Sequence, residues 1–118
     1  MIFSLEKNGI KIKMSKFLDF FDDIPITFLE TKRGVIRYRK SGNGPPLLML
    51  HGNPQTHAMW HKVAPNLMQN YTVICPDIPG YGKSFKPKLS ANHEEYSKVN
   101  MAKDIEEFMR LLNFNSFY

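Results

Sequence analysis

The sequence predicts an α/β fold whose sheet is mostly parallel after an initial hairpin. Three observations carry this expectation. Residues 47–50, Leu-Leu-Met-Leu, form a short continuous apolar run bounded by turn residues, the pattern of a strand buried on both faces. Residues 71–75 form a second strand-like apolar segment, and the stretch between the two has apolar residues at helical spacing. Residues 97–113 then place Ala102, Ile105, Phe108, Met109 and Leu112 on one helical face. Strands alternating with helices point to a parallel sheet covered by helices.

The elements follow in order. Residues 1–15 show no clean period and read as an N-terminal extension, leaving 16–118 as the N-terminal part of an incomplete domain. Residues 16–23 are a short amphipathic segment carrying Phe17, Leu18, Phe20 and Phe21, which Pro25 stops. Residues 26–31 and 35–40 read as two strands joined by a Lys32-Arg33-Gly34 turn. Residues 41–46, Ser-Gly-Asn-Gly-Pro-Pro, are a loop by composition. After the 47–50 strand comes the loop 51–56. A helix over 58–68 follows, with Pro65 expected to kink or break it. The 71–75 strand ends at Pro76-Asp77. A Gly/Pro-rich loop and a polar loop lead to the long helix, and 114–118 reads as the start of a further strand. A strand as apolar as 47–50 calls for neighbours on both edges, because a bare apolar edge invites aggregation.

Composition narrows the function classes. Hydrophobic residues make up 42% and charged residues 23% of the 118 positions, which excludes a disordered or collagen-like chain. Cys75 is the single cysteine, so neither an internal disulfide framework nor a Cys-rich zinc site can form. No signal-peptide or membrane-spanning run is visible, and a cytoplasmic protein with no membrane partner is the expectation. The formal charge of +5 is concentrated in the first half, most densely at Lys32, Arg33, Arg37, Arg39 and Lys40. With neither a recognition helix nor stacking aromatics nearby, this reads as a solvated strand face, and no nucleic-acid partner is expected.

Several motifs bear on chemistry. Gly80-Tyr81-Gly82-Lys83-Ser84 ends like a phosphate-binding loop, but Asp77 stands where the first glycine belongs and no helix start follows. His57 and His61 stand four apart, yet Ala58 replaces the glutamate of a zinc-protease helix and no third ligand has the right spacing. A hydrogen-bonded or solvent-facing pair is expected and no metal. No serine, aspartate or cysteine is framed as a strand-to-helix nucleophile. His51-Gly52-Asn53-Pro54 is more informative, because it directly follows the buried strand. An N–H donor there, from the backbone or from Asn53, can stabilise developing negative charge. An ordinary tight turn would use the same residues.

The runs Leu48-Met-Leu-His-Gly-Asn-Pro-Gln-Thr-His-Ala-Met-Trp-His-Lys-Val-Ala-Pro65 and Val73-Ile-Cys-Pro-Asp-Ile-Pro-Gly-Tyr-Gly-Lys-Ser84 resemble the α/β-hydrolase superfamily. They are most similar to the haloacetate and fluoroacetate dehalogenases, with epoxide hydrolases and haloalkane dehalogenases as close relatives. The resemblance implies the N-terminal half of an α/β-hydrolase fold, interrupted at the strand before the nucleophile. It implies an Asp-ester mechanism in the full-length family, with no cofactor or metal. The nucleophilic aspartate, the acid and the histidine all lie beyond the matched part, so no catalytic residue is assigned and the chain alone is expected to be inactive.

What the resemblance does place here is one wall of a site. Asn53 falls on the oxyanion or halide side, with His51, Gly52 and Pro54 supporting its loop. Fluoroacetate dehalogenases usually carry phenylalanine at that position, which leaves the substrate open between a halogenated acid and an epoxide. Asp77, Gly80, Gly82 and Ser84 match a turn that is mainly structural in the family. The expected partners are a small-molecule substrate once the fold is completed and a C-terminal half. The alternatives are a non-catalytic fragment that pairs with a partner chain, and an epoxide hydrolase or esterase-like fragment.

Overall fold

In a computed structural model, the described residues are 4–7, 10–13 and 24–118. The amphipathic segment expected at 16–23 lies outside them. Strands β1 (Ser4–Lys7) and β2 (Ile10–Lys13) pair as an antiparallel hairpin. No strand was assigned to residues 1–15 from their sequence, which shows no clean period. The Asn8-Gly9 dipeptide between the strands is a strong hairpin signal in sequence.

The second sheet has four strands in the order β3-β4-β6-β5, made of β3 (Ile26–Glu30), β4 (Val35–Gly42), β5 (Pro46–Leu48) and β6 (Thr72–Pro76). β3 and β4 form the initial antiparallel hairpin, β4 pairs antiparallel with β6, and β5 pairs parallel with β6. The far edge of β5 is also engaged. Leu48 N–H donates to the Tyr118 carbonyl at 2.8 Å, and Tyr118 N–H donates to the Pro46 carbonyl at 3.0 Å. That pattern sets Tyr118 parallel to β5, so the apolar strand has a neighbour on both edges.

Alternation along the strands divides the core between the two sheet faces. On one face Val73 and Cys75 of β6 pack with Ile24, Met49 and Ala64. On the other, Ile36, Tyr38 and Ile74 pack with Ile105, Phe108 and Met109. The latter three belong to the one long helix among the described residues, here α2 (Lys98–Leu111). Ser97 caps it, its side chain accepting the Asn100 N–H. Phe108 is fully buried and meets Tyr38 edge-on at 5.1 Å.

The expected 58–68 helix is not continuous. A 3₁₀ turn at His57–Trp60 precedes a four-residue α1 (Ala64–Leu67). Pro65 sits in the first turn of α1, where its missing N–H costs nothing. The helix is broken, as expected, and the proline starts the short segment after the break. No helix among the described residues is long and apolar enough to cross a membrane.

Burial pushes the Cys75 thiol up to about 12, against the opposing charge of Arg39. A thiol this buried and this far from ionisation should not react with an alkylating reagent until the sheet opens. Labelling of Cys75 near pH 8 is therefore expected to track unfolding. Labelling of the native chain at the rate of a free thiol would contradict this core.

Candidate functional site

The carboxyl ends of the parallel strands β5 and β6 lead into two loops, 49–56 and 77–85. In open α/β sheets such strand ends are where ligands bind. The β5 loop contains His51, Gly52, Asn53 and Pro54, and the Asn53–Pro54 peptide is cis. His51 is buried and ties the two loops together. Its Nε2 accepts the Ile78 N–H at 2.9 Å, so its proton sits on Nδ1, which donates to the Gly52 carbonyl at 2.8 Å. The Tyr81 ring stands edge-on to the imidazole at 5.3 Å. Gln55 closes the turn, its Oε1 accepting the Gly52 N–H and its own N–H donating to the Gly52 carbonyl, both at 3.1 Å.

Asn53 and Pro54 are exposed at the tip of this turn. The Asn53 side chain makes no hydrogen bond among the described residues. Its amide is thus presented outward from a loop whose base is fixed on both sides.

Beneath this loop lies a charge cluster that sequence reading missed. Asp77, at the end of β6, is fully buried. Its Oδ1 accepts both the backbone N–H and the Nδ1–H of His57, each at 2.8 Å. Its Oδ2 accepts Arg37 Nε at 2.7 Å, Arg37 Nη2 at 2.6 Å and the Lys83 N–H at 3.2 Å. The His57 Nε2 accepts from Arg39 Nε at 3.1 Å, and Arg39 Nη1 also donates to the Ile24 carbonyl. Arg37 and Arg39 are therefore not part of a solvated strand face. They turn inward to a buried carboxylate and its histidine, which corrects that expectation. Burial works against charge on Asp77, but hydrogen bonds from His57 and Lys83 outweigh it and hold the carboxyl well below the usual carboxylate range.

The Ser84 hydroxyl completes the turn, donating to the Asp77 carbonyl at 2.6 Å and accepting the Arg37 N–H at 3.0 Å. Gly82 has φ +53°, and a Cβ placed there would stand 2.3 Å from Asp77 Oδ2. Gly82→Ala should therefore cost about 1–2 kcal/mol for its left-handed backbone alone, and more for displacing the carboxylate. A thermal melt indistinguishable from the parent's would contradict this close approach.

The remaining motifs find structural partners. Gly80 to Ser84 opens no helix, and the Lys83 N–H serves Asp77. His57 and His61 do not converge. The former faces Asp77, while His61 Nδ1 bonds the Ala58 carbonyl at 2.9 Å. Arg33 pairs with the buried Asp104 at 3.0 Å.

Residues 45–118 match the family model of the alpha/beta hydrolase fold. The chain belongs to this family. The mixed sheet, with its initial hairpin, its parallel pair and Tyr118 joining β5, is consistent with an N-terminal portion of the α/β-hydrolase fold.

Among curated relatives, a fluoroacetate dehalogenase from Burkholderia sp is 51% identical over 77 residues, covering 65% of this chain and 25% of the relative. A soluble epoxide hydrolase from Corynebacterium sp. (strain C12) is 38% identical over 80 residues, covering 68% of this chain and 26% of the relative. Among solved structures, one from Nostoc sp PCC 7120, provisionally described as an alpha/beta hydrolase, superposes with a TM-score of 0.80. It is 46% identical, over 83% of this chain and 34% of that one. The α/β-hydrolase chain thus spans about a quarter of the length of the curated relatives it matches.

Proposed function

We propose that this chain supplies the N-terminal wall of a hydrolase site of the dehalogenase or epoxide-hydrolase type, completed by a C-terminal portion that carries the nucleophile. The observation behind this reading is the β5 loop. It lies at the carboxyl end of a half-buried parallel strand, His51 anchors it to the β6 loop, and it holds the Asn53 amide outward. An amide N–H so placed can donate to a leaving halide or to an alkoxide as charge develops there.

In the proposed reaction a carboxylate of the C-terminal portion attacks a carbon bearing halogen or an epoxide oxygen. The C–O ester bond forms as the C–X or C–O bond breaks, and the leaving atom takes the electron pair. Water then adds to the ester carbonyl with a histidine taking its proton, and the alcohol departs as the carboxylate is regenerated. The residues of this chain bind and orient; they do not form the ester. The relatives named for fluoroacetate and for epoxides both support this chemistry, and Asn53 as donor suits either leaving group.

The test is a chimera in which Tyr118 is followed by the residues of the Burkholderia dehalogenase that lie beyond its matched segment. A single turnover in ¹⁸O-water should give unlabelled alcohol, because solvent oxygen enters the enzyme carboxylate first. Label appearing in the first-turnover alcohol would mean direct attack by water and would refute the ester route.

A further inference from the structure

The β3–β4 turn and α2 enclose a polar groove of about 350 Å³. Its charged lining is Lys32 and Arg33 from the turn, with Lys103, Asp104, Glu107 and Arg110 from α2. Lys103, Glu107 and Arg110 stand four and three residues apart, so they share one stripe of the helix. The turn is fastened to α2 at two points. The Lys32 N–H donates to Glu107 Oε1 at 3.1 Å, and Arg33 Nη1 donates to both Asp104 oxygens, at 3.0 and 3.2 Å. Arg33 Nη2 also donates to the Glu95 carbonyl at 3.2 Å, and its guanidinium lies 5.8 Å from the centre of the Phe85 ring. The two walls of the groove are thus held in place by the fold itself.

These bonds engage both carboxylates. Asp104 is buried against Arg33, and Glu107 accepts the N–H of the turn. Lys32, Lys103 and Arg110 are exposed, and their charged groups make no ion pair or hydrogen bond among the described residues. We propose that this groove binds a small, multiply charged oxyanion, a phosphate compound or a polycarboxylate, held by Lys32, Lys103 and Arg110. Three unpaired cations around one concavity suit a ligand with several charged oxygens, each taking a charge-assisted hydrogen bond. The volume falls in the range of about 300–1,000 Å³ typical of small-molecule sites. No aromatic residue lines the groove, so a nucleobase would have no ring to stack on, and the anionic groups themselves are what is recognised. A longer acidic segment laid across α2 would meet the exposed Glu106 on the next flank of the helix, which favours the small ligand. The site is independent of the hydrolase reading.

The test titrates the 118-residue chain with sodium tripolyphosphate and with citrate by calorimetry, at constant ionic strength. Saturable binding of one anion per chain is expected, and whichever of the two binds more tightly names the oxyanion class. Lys103→Glu and Arg110→Glu should each weaken binding at least about tenfold, because repulsion replaces attraction. Both side chains are exposed and unpaired among the described residues, so the thermal melts should match the parent's. Lys103→Gln, which removes the charge without reversing it, should weaken binding in the same direction by less. Lys88→Glu makes the same change in net charge at an exposed residue outside the groove and should leave the affinity unchanged. An equal loss at Lys88→Glu and Lys103→Glu would mean a general attraction to a basic chain and would overturn the site. Absence of saturable binding by both anions would overturn it too. Capture of poly-glutamate that Arg110→Glu abolishes, with neither small anion bound, would give this face to an acidic protein segment and overturn the small-ligand assignment.

Discussion

Asp77→Asn is expected to destabilise the fold by about 3–5 kcal/mol, the usual cost of removing one partner from a buried ion pair. The carboxylate accepts five hydrogen-bonding contacts, from Arg37, His57 and the Lys83 backbone. An amide can accept at only one of its two heavy atoms, so a donor from Arg37 or His57 would face an NH₂ group inside the core. Against a typical domain stability of about 5–15 kcal/mol, this should shift urea unfolding to much lower denaturant.

The pH dependence follows from the lowered pKa of Asp77. Its folded value lies below the unfolded value of about 3.9. The stabilisation is therefore fully present above the unfolded pKa and is lost as the pH falls through the folded pKa. Between about pH 7 and pH 3, Asp77→Asn should show a flatter stability profile than the parent. Parallel profiles would show that Asp77 is not held ionised by its partners.

Asn53→Ala carries the largest functional effect. In the chimera it should lower kcat by about 10²–10³-fold, the cost of deleting one preorganised donor to developing charge. Because Asn53 is exposed and makes no side-chain hydrogen bond among the described residues, the thermal melt of the 118-residue chain should not move. Loss of rate with unchanged stability separates a donor to the reacting centre from a mere turn residue. A kcat within about twofold of the parent would assign Asn53 to the turn.

Much of the fold was legible because its signals are local. The apolar runs gave β5 and β6, and the helical spacing of Ile105, Phe108 and Met109 gave α2 with the face it buries. The hairpin β1–β2 was missed although Asn8-Gly9 marks its turn in sequence. The helix expected over 58–68, with Pro65 kinking or breaking it, is broken: 57–60 form a 3₁₀ turn and Pro65 stands in the first turn of a separate four-residue helix.

The site divides the same way. His51 to Pro54 could be found from a Gly/Pro turn directly after an apolar strand. The Arg37–Asp77–His57 cluster could not, since its members are 20 and 40 positions apart and only the β4–β6 pairing brings Arg37 to Asp77. A charged run on a strand looks solvated until the partner loop is placed over it. The available hint was Asp77 at the end of an apolar strand, where a buried carboxylate requires partners.

The most direct measurement of the central claim is turnover by the chimera itself, assayed for halide release from haloacetates and for diol formation from epoxides. Turnover of either class that falls when Asn53 is replaced by alanine is the predicted result, and it would place this chain's β5 loop in a working hydrolase site. A chimera that folds, shows the protected Cys75 of the parent and yet turns over neither class would contradict the claim.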